Sequence, residues 1–212
     1  LPGDEPDLKR GFNIFEEREN TDNETIISSF NSIFDTELRF NDQWKLSSQV
    51  GIQWDQSSQE QYVGENTFNM RNIREDSSYD ENQYIVPKGG MHTVNNATTS
   101  QITWKVQGEY KNTFNDIHDI QIMAGSEIRK NWYNTQFTAG YGYDPKTLTT
   151  KPLNIRNDKD AEKYKLHTKT YQENAFASFY TTGSYSFMSR YTIGGSVRMD
   201  GSDLFGVDKK YR

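Results

Sequence analysis

His118 and Asp119 stand side by side, and an imidazole next to a carboxylate is the pairing on which general acid–base catalysis is built. The pair lies beside a turn with no nucleophile nearby, so it supports no group-transfer chemistry by itself. His92, His118 and His167 sit on separate segments, without the spacing that metal ligation imposes. Asp200-Gly201-Ser202-Asp203 has the opening of a calcium loop but not its remaining oxygen ligands; a turn leaving a strand accounts for it. Catalysis, a metal and a cofactor are therefore not expected. Recognition chemistry remains. Glu127, Arg129, Arg198 and Asp200 would line a solute path if their register faced a water-filled interior. Tyr62, Tyr79, Tyr84, Tyr133, Tyr141 and Tyr143 each offer a flat apolar face and one hydrogen-bonding tip, suited to a ligand or partner. Packing of loops on themselves explains any single one of these tyrosines equally well.

These side chains belong to segments with a period of two. Over residues 175–200, Ala175, Ala177, Phe179, Thr181, Gly183, Tyr185 and Phe187 share one face, and after Met188-Ser189-Arg190 so do Tyr191, Ile193, Gly195, Val197 and Met199. Successive strand side chains point to opposite faces, so this is a long antiparallel hairpin with one greasy and one polar side. An earlier pair places Phe30, Phe34, Leu38 and Phe40 before a turn at Asn41-Asp42-Gln43, then Trp44, Leu46, Val50, Ile52 and Trp54 after it. Between them, Ile102, Trp104, Val106 and Tyr110 alternate with Lys105, Gln107, Glu109 and Lys111. A turn at Asn115-Asp116 leads on to Ile120, Ile122, Ala124, Ile128 and Trp132. Residues 57–99 and 133–170 read as long polar loops, the second with a short helix in NDKDAEKYK. Residues 1–24 and the polar tail 202–212 also have loop composition.

Composition explains what such hairpins are for. Only 33% of the residues are apolar and 25% are charged, whereas a soluble domain of 212 residues needs roughly half apolar to bury a core. A transmembrane β-barrel escapes that demand, because half of each strand faces water. The competing classes are a secreted polar β-sandwich and a disordered chain; 14% aromatic content disfavours disorder. A net charge of −6 argues against nucleic acid as a partner. Cys is absent, so no disulfide framework exists. No apolar run is long enough for a spanning helix, and a start at Leu-Pro-Gly without a signal peptide is expected to be internal or processed.

The expected fold is all-β: three hairpins, six strands, with short turns on one side and long loops on the other. Aromatics near both ends, Phe40, Trp44, Tyr110, Phe114, Phe187 and Tyr191 at the turns and Trp54 and Trp132 at the far side, fit two interfacial girdles. In this arrangement Trp104, Val106, Ile122, Ile193 and Val197 face lipid, and Lys105, Gln107, Glu127 and Arg198 face the lumen. Six strands leave two open edges, which hydrocarbon does not tolerate, so either a larger barrel contains them or several copies close one.

Residues 185–206, YSFMSRYTIGGSVRMDGSDLFG, resemble the SusC/RagA family of TonB-dependent outer-membrane transporters of Bacteroidota, where Y-x-x-x-x-S-x-R-x-D-G-S-x-x-F-G is a recurrent landmark. Arg198, Asp200, Gly201, Ser202, Phe205 and Gly206 match it; Met199 and Asp203-Leu204 depart from it where the family is often basic. Glu19-Asn20-Thr21-Asp22-Asn23 and the hairpins that follow are similar to the family's mid-barrel region. The resemblance implies a plugged barrel of about 22 strands. It also implies energised import of oligosaccharides or oligopeptides, a SusD-like surface lipoprotein lid, and TonB contact through parts that this segment does not carry. The alternative class is a non-transport surface module, an adhesin or glycan-binding β-sandwich, which would purify without detergent.

Overall fold

A computed structural model describes residues 11–203; Pro2-Gly3, Pro6 and the Phe205-Gly206 end of the motif lie outside them. Eight strands and three helices follow in the order α1 (Ile14–Glu19), β1 (Thr21–Arg39), β2 (Trp44–Val63), α2 (Phe68–Glu75), β3 (Ser78–Asp80), β4 (Gln83–Tyr84), β5 (Gly90–Phe114), β6 (His118–Tyr143), α3 (Asp158–Lys163), β7 (His167–Phe187) and β8 (Tyr191–Ser202). Six of the strands form one sheet in the order β1-β2-β5-β6-β7-β8, and β3 pairs with β4 in a small ribbon of its own. In the large sheet every strand neighbours the next of its kind along the chain, a plain meander. β5 and β6 run for 25 and 26 residues, several times the usual strand length in globular sheets.

Each expected turn is present, and its chemistry is visible. At the β1–β2 turn the Asn41 carboxamide oxygen accepts from the backbone N–H of Gln43 (3.0 Å) and Trp44 (2.8 Å). The β5–β6 turn puts Asn115 and Asp116 at φ 51 and 56, closed by Ile117 N–H donating to Phe114 C=O at 3.1 Å. Asn and Asp tolerate that left-handed region, which a two-residue hairpin turn requires at both positions. Met188 and Ser189 occupy the same conformation in the β7–β8 turn, at φ 51 and 54, without that tolerance.

The strands extend further than the hydrophobic alternation did. β2 continues past Trp54 to Val63 and β5 starts at Gly90, so the connection between them is residues 64–89. β6 likewise reaches Tyr143 and β7 begins at His167, leaving 144–166. In the extensions of β2, β5 and β7 the one-sided contrast fades, and in β6 the apolar side changes parity at Tyr133, with Phe137, Ala139, Tyr141 and Tyr143 on odd positions, although the ladder continues. The helix expected in NDKDAEKYK is α3, capped by the Asn157 side chain accepting from Asp160 N–H at 3.1 Å.

The chain divides into two compact units, each made of three segments. The first, Leu1–Ser28, Gln56–Ala97 and Asn134–Thr170, contains all three helices and the β3–β4 ribbon. It also contains a hydrophobic core: Val63, Met70, Ile85, Val86 and Tyr164 are buried together, with Ile73, Tyr79, Met91, Tyr141 and Leu153 packed against them. The second unit, Ser29–Asp55, Thr98–Tyr133 and Tyr171–Arg212, carries the three turns. Every buried apolar side chain among the described residues belongs to the first unit. Among the described residues the second unit is sheet without an apolar core.

Candidate functional site

The second unit exposes two faces of opposite chemistry. On the apolar face Phe30, Phe34, Trp104, Ile122, Ile193 and Val197 all stand open, Ile193 and Val197 with 72% and 69% of their surface free. Polar groups on this face find partners close by: Trp104 Nε1–H donates to Ser48 Oγ at 3.0 Å. Aromatic contacts gather towards the turns, where Trp44 lies 4.7 Å from Tyr110 and His118 lies 5.4 Å from Phe187, centroid to centroid. Monomeric soluble proteins rarely display a contiguous apolar surface of this kind.

The other face is a lattice of charges and amides. Lys45 bridges Glu109 at 2.9 Å and Glu37 at 3.7 Å, linking three adjacent strands, and Gln49 Nε2 donates to Asp35 at 2.7 Å. Tyr180 is the centre of a second group. Its hydroxyl donates to Gln107 Oε1 at 3.2 Å, and both Lys105 Nζ and the Arg198 guanidinium stand 5.9 Å from its ring centroid. Arg198 Nε donates to both Asp200 oxygens (2.8 and 3.0 Å), and its Nη2 donates to Ser178 Oγ at 3.0 Å. Arg129 sits 5.3 Å over the Phe176 ring, with Glu127 Oε1 4.0 Å from its Nη2.

All four charged candidates, Glu127, Arg129, Arg198 and Asp200, therefore share the polar face. Tyr180 was not among the candidates, although it falls on the polar register of β7; an aromatic in that register was the available signal. A side chain added at Gly125 would come within 2.5 Å of the Tyr180 hydroxyl, so glycine there makes room for the ring. His118 and Asp119 do not form a pair. His118 Nδ1 lies 2.7 Å from the Tyr185 hydroxyl on the apolar face, and Asp119 accepts from Thr113 Oγ1 at 2.6 Å instead.

Five of the six tyrosine candidates engage their own chain within the first unit. The Arg156 guanidinium covers Tyr79 at 4.2 Å and that of Arg74 covers Tyr84 at 4.4 Å. Tyr141 packs edge-on against Tyr164, and Tyr62 edge-on against Tyr143, whose ring stacks on His92 at 4.8 Å. Tyr133, on β6 in the second unit, is exposed. The connections 64–89 and 144–166 interlock. Asn154 N–H donates to Ile85 C=O at 2.9 Å and its Nδ2 to Tyr84 C=O at 3.0 Å; Lys151 Nζ donates to Lys88 C=O at 2.9 Å. Gly89 and Gly142, both at positive φ, touch backbone to backbone, where an added side chain at Gly89 would come within 2.6 Å of Gly142. Asp160 accepts from Arg156 Nε at 2.8 Å, and that hydrogen bond holds its carboxyl below the ordinary carboxylate range.

No family model matches the sequence. TonB-dependent receptor P39 of Formosa agariphila is 29% identical over 102 residues, which are 47% of this chain and 9% of that protein. The solved RagAB peptide transporter superposes with a TM-score of 0.72 at 16% identity, over 92% of this chain and 20% of that one. The RagAB peptide importer in its closed-closed and open-open states gives 0.71 at the same identity, over 92% of this chain and 19% of theirs. The chain thus spans about a fifth of the solved relatives and less than a tenth of the curated one. The likeness shows the fold: a six-stranded antiparallel sheet that matches a portion of a transporter barrel.

Proposed function

We propose that this chain is part of the barrel wall and the surface loops of a TonB-dependent transporter of the bacterial outer membrane. The observation that carries the proposal is the second unit: a sheet with an open apolar face, a charged and hydrogen-bonded polar face and, among the described residues, no buried apolar side chain. Hydrocarbon on one side and water on the other is the environment in which such a sheet is stable. The apolar face meets lipid, and Glu127, Arg129, Arg198, Asp200 and Tyr180 face the lumen. β1 and β8, the edge strands of the described sheet, continue into further strands of the same barrel, because unpaired N–H and C=O groups cost several kcal/mol each in lipid.

The interlocked connections 64–89 and 144–166 form a cap on the cell-surface side. The solute is an oligomer, and the likeness to a peptide transporter supports oligopeptide over oligosaccharide. A SusD-like surface lipoprotein meets the cap, and TonB acts through parts outside this segment. Deleting residues 65–90 from the full-length parent removes Met70, Ile85 and Val86, so it dismantles the cap core rather than shortening a loop. Peptide uptake and lipoprotein co-purification should both fall, while the barrel stays resistant to unfolding in detergent. Unchanged uptake and unchanged co-purification would remove the partner from the proposal.

A further inference from the structure

The polar face of the second unit is hollowed between β1, β2 and β5. A cavity of about 340 Å³ is lined there by Asp35 and Glu37, Ser47 and Gln49, and Lys105 and Gln107. Register fixes their order. Gln49 Nε2 donates to Asp35 across β1 and β2 at 2.7 Å; between β2 and β5, Lys45 meets Glu109 and Gly51 lies beside Thr103. The same pairing sets Gln49 beside Lys105 and Ser47 beside Gln107. Asp35, Gln49 and Lys105 therefore form one row across three strands.

Most polar groups of the cavity are already matched. Arg39 (2.7 Å) and Lys45 (3.7 Å) neutralise Glu37, while Gln107 accepts from Tyr180 and donates to Glu109. Two charges are left over, of opposite sign and at opposite ends of the row. The Asp35 carboxylate has only the neutral Gln49 amide. Lys105 forms no ion pair among the described residues; its ammonium stands 5.9 Å from the Tyr180 ring centroid, and Glu127 pairs with Arg129 instead.

Neighbouring strands lie about 4.8 Å apart, so the two residues are roughly 10 Å apart at the backbone. An extended peptide covers about 3.4 Å per residue, and three residues close that distance. A neutral glycan of the same length would strip water from both charges and return no charge to either. A dication or a dianion would meet one charge of its own sign. We infer that the cavity is a subsite for a zwitterion: a peptide of about three residues whose ammonium meets Asp35 and whose carboxylate meets Lys105. This rests on the assignment of the polar face to the lumen, and it gives that face a substrate class.

Isothermal titration of the full-length parent in detergent tests it, with trialanine as the probe. N-acetyl-trialanine lacks the ammonium, trialanine amide lacks the carboxylate, and maltotriose has neither. The parent should bind trialanine, and each blocked peptide at least roughly tenfold more weakly. Asp35→Asn should lose as much affinity for trialanine but no more for the N-acetyl peptide, and Lys105→Gln should behave in the same way towards the amide. Lys111→Gln, which removes a cation of the same face outside the cavity, should change nothing. No trialanine binding by the parent would overturn the inference. So would a blocked peptide or maltotriose bound as tightly as trialanine, or losses that add where they should coincide. Ser196→Cys in a parent without other cysteines reports the lumen assignment separately: if a water-soluble maleimide labels it and the peptide results fail, only the subsite falls.

Discussion

At the residue scale, the face that a side chain occupies decides its worth. Val106 and Lys105 are neighbours, yet in the proposed assignment one register meets hydrocarbon and the other lies on the polar face around Tyr180. Val106→Arg should destabilise the barrel by about 2–4 kcal/mol if the position is near mid-membrane, whereas Lys105→Gln should cost little. Urea unfolding of the full-length parent in lipid vesicles measures both, and equal effects would contradict the face assignment. Lys45, Glu37 and Glu109 are part-exposed and their bridges are screened by solvent, so breaking them should move stability little. The charged side chains of the polar face were legible from parity alone. Their grouping was not, because Tyr180 and Gln107 meet only across strands 73 positions apart in sequence.

At the scale of elements, the turns and the cap respond to different conditions. Met188 and Ser189 hold a left-handed conformation that costs a side-chain-bearing residue about 1–2 kcal/mol. Met188→Asn with Ser189→Gly should therefore raise the unfolding midpoint of the parent; a lower midpoint would mean that Met188 anchors the turn by its side chain. In the cap, Met70 is fully buried, and Met70→Ala should cost the cap about 2–5 kcal/mol. Its signature is faster proteolysis within 64–89 and 144–166 together, since the two share one core. Cleavage confined to 64–89 would show that they do not. The Asp160 carboxyl is depressed by Arg156, so its contribution is complete above the ordinary carboxylate pKa and is lost as pH falls through the lower folded value. Cap proteolysis should thus accelerate in acid, and Asp160→Asn should flatten that acid dependence while leaving the cap looser at neutral pH.

Across the whole chain, alternation found strands wherever their two faces meet different media. Trp104 to Lys111 and Ile193 to Val197 show the contrast clearly. From Gln56 to Val63 and from Gly90 to Gln101 the residue types carry no one-sided contrast, so those stretches read as loop although they are strand. The turns were legible at Asn41 and Asn115 because their local chemistry is self-sufficient. The cap core was not, since Val63, Val86 and Tyr164 carry no shared local pattern. The absence of buried apolar side chains from the described residues of the second unit is the structural counterpart of the low apolar content.

The central claim is that the sheet separates lipid from water, and a cysteine scan along β8 tests it most directly. The 212 residues contain no Cys, so single substitutions at positions 192–199, made in a full-length parent whose cysteines elsewhere are replaced, report individually in outer membranes. A water-soluble maleimide should label positions 192, 194, 196 and 198 and spare 193, 195, 197 and 199, while a lipid-soluble maleimide should show the reverse. Uniform aqueous labelling, or shielding of position 198 with labelling of 197, would contradict the account.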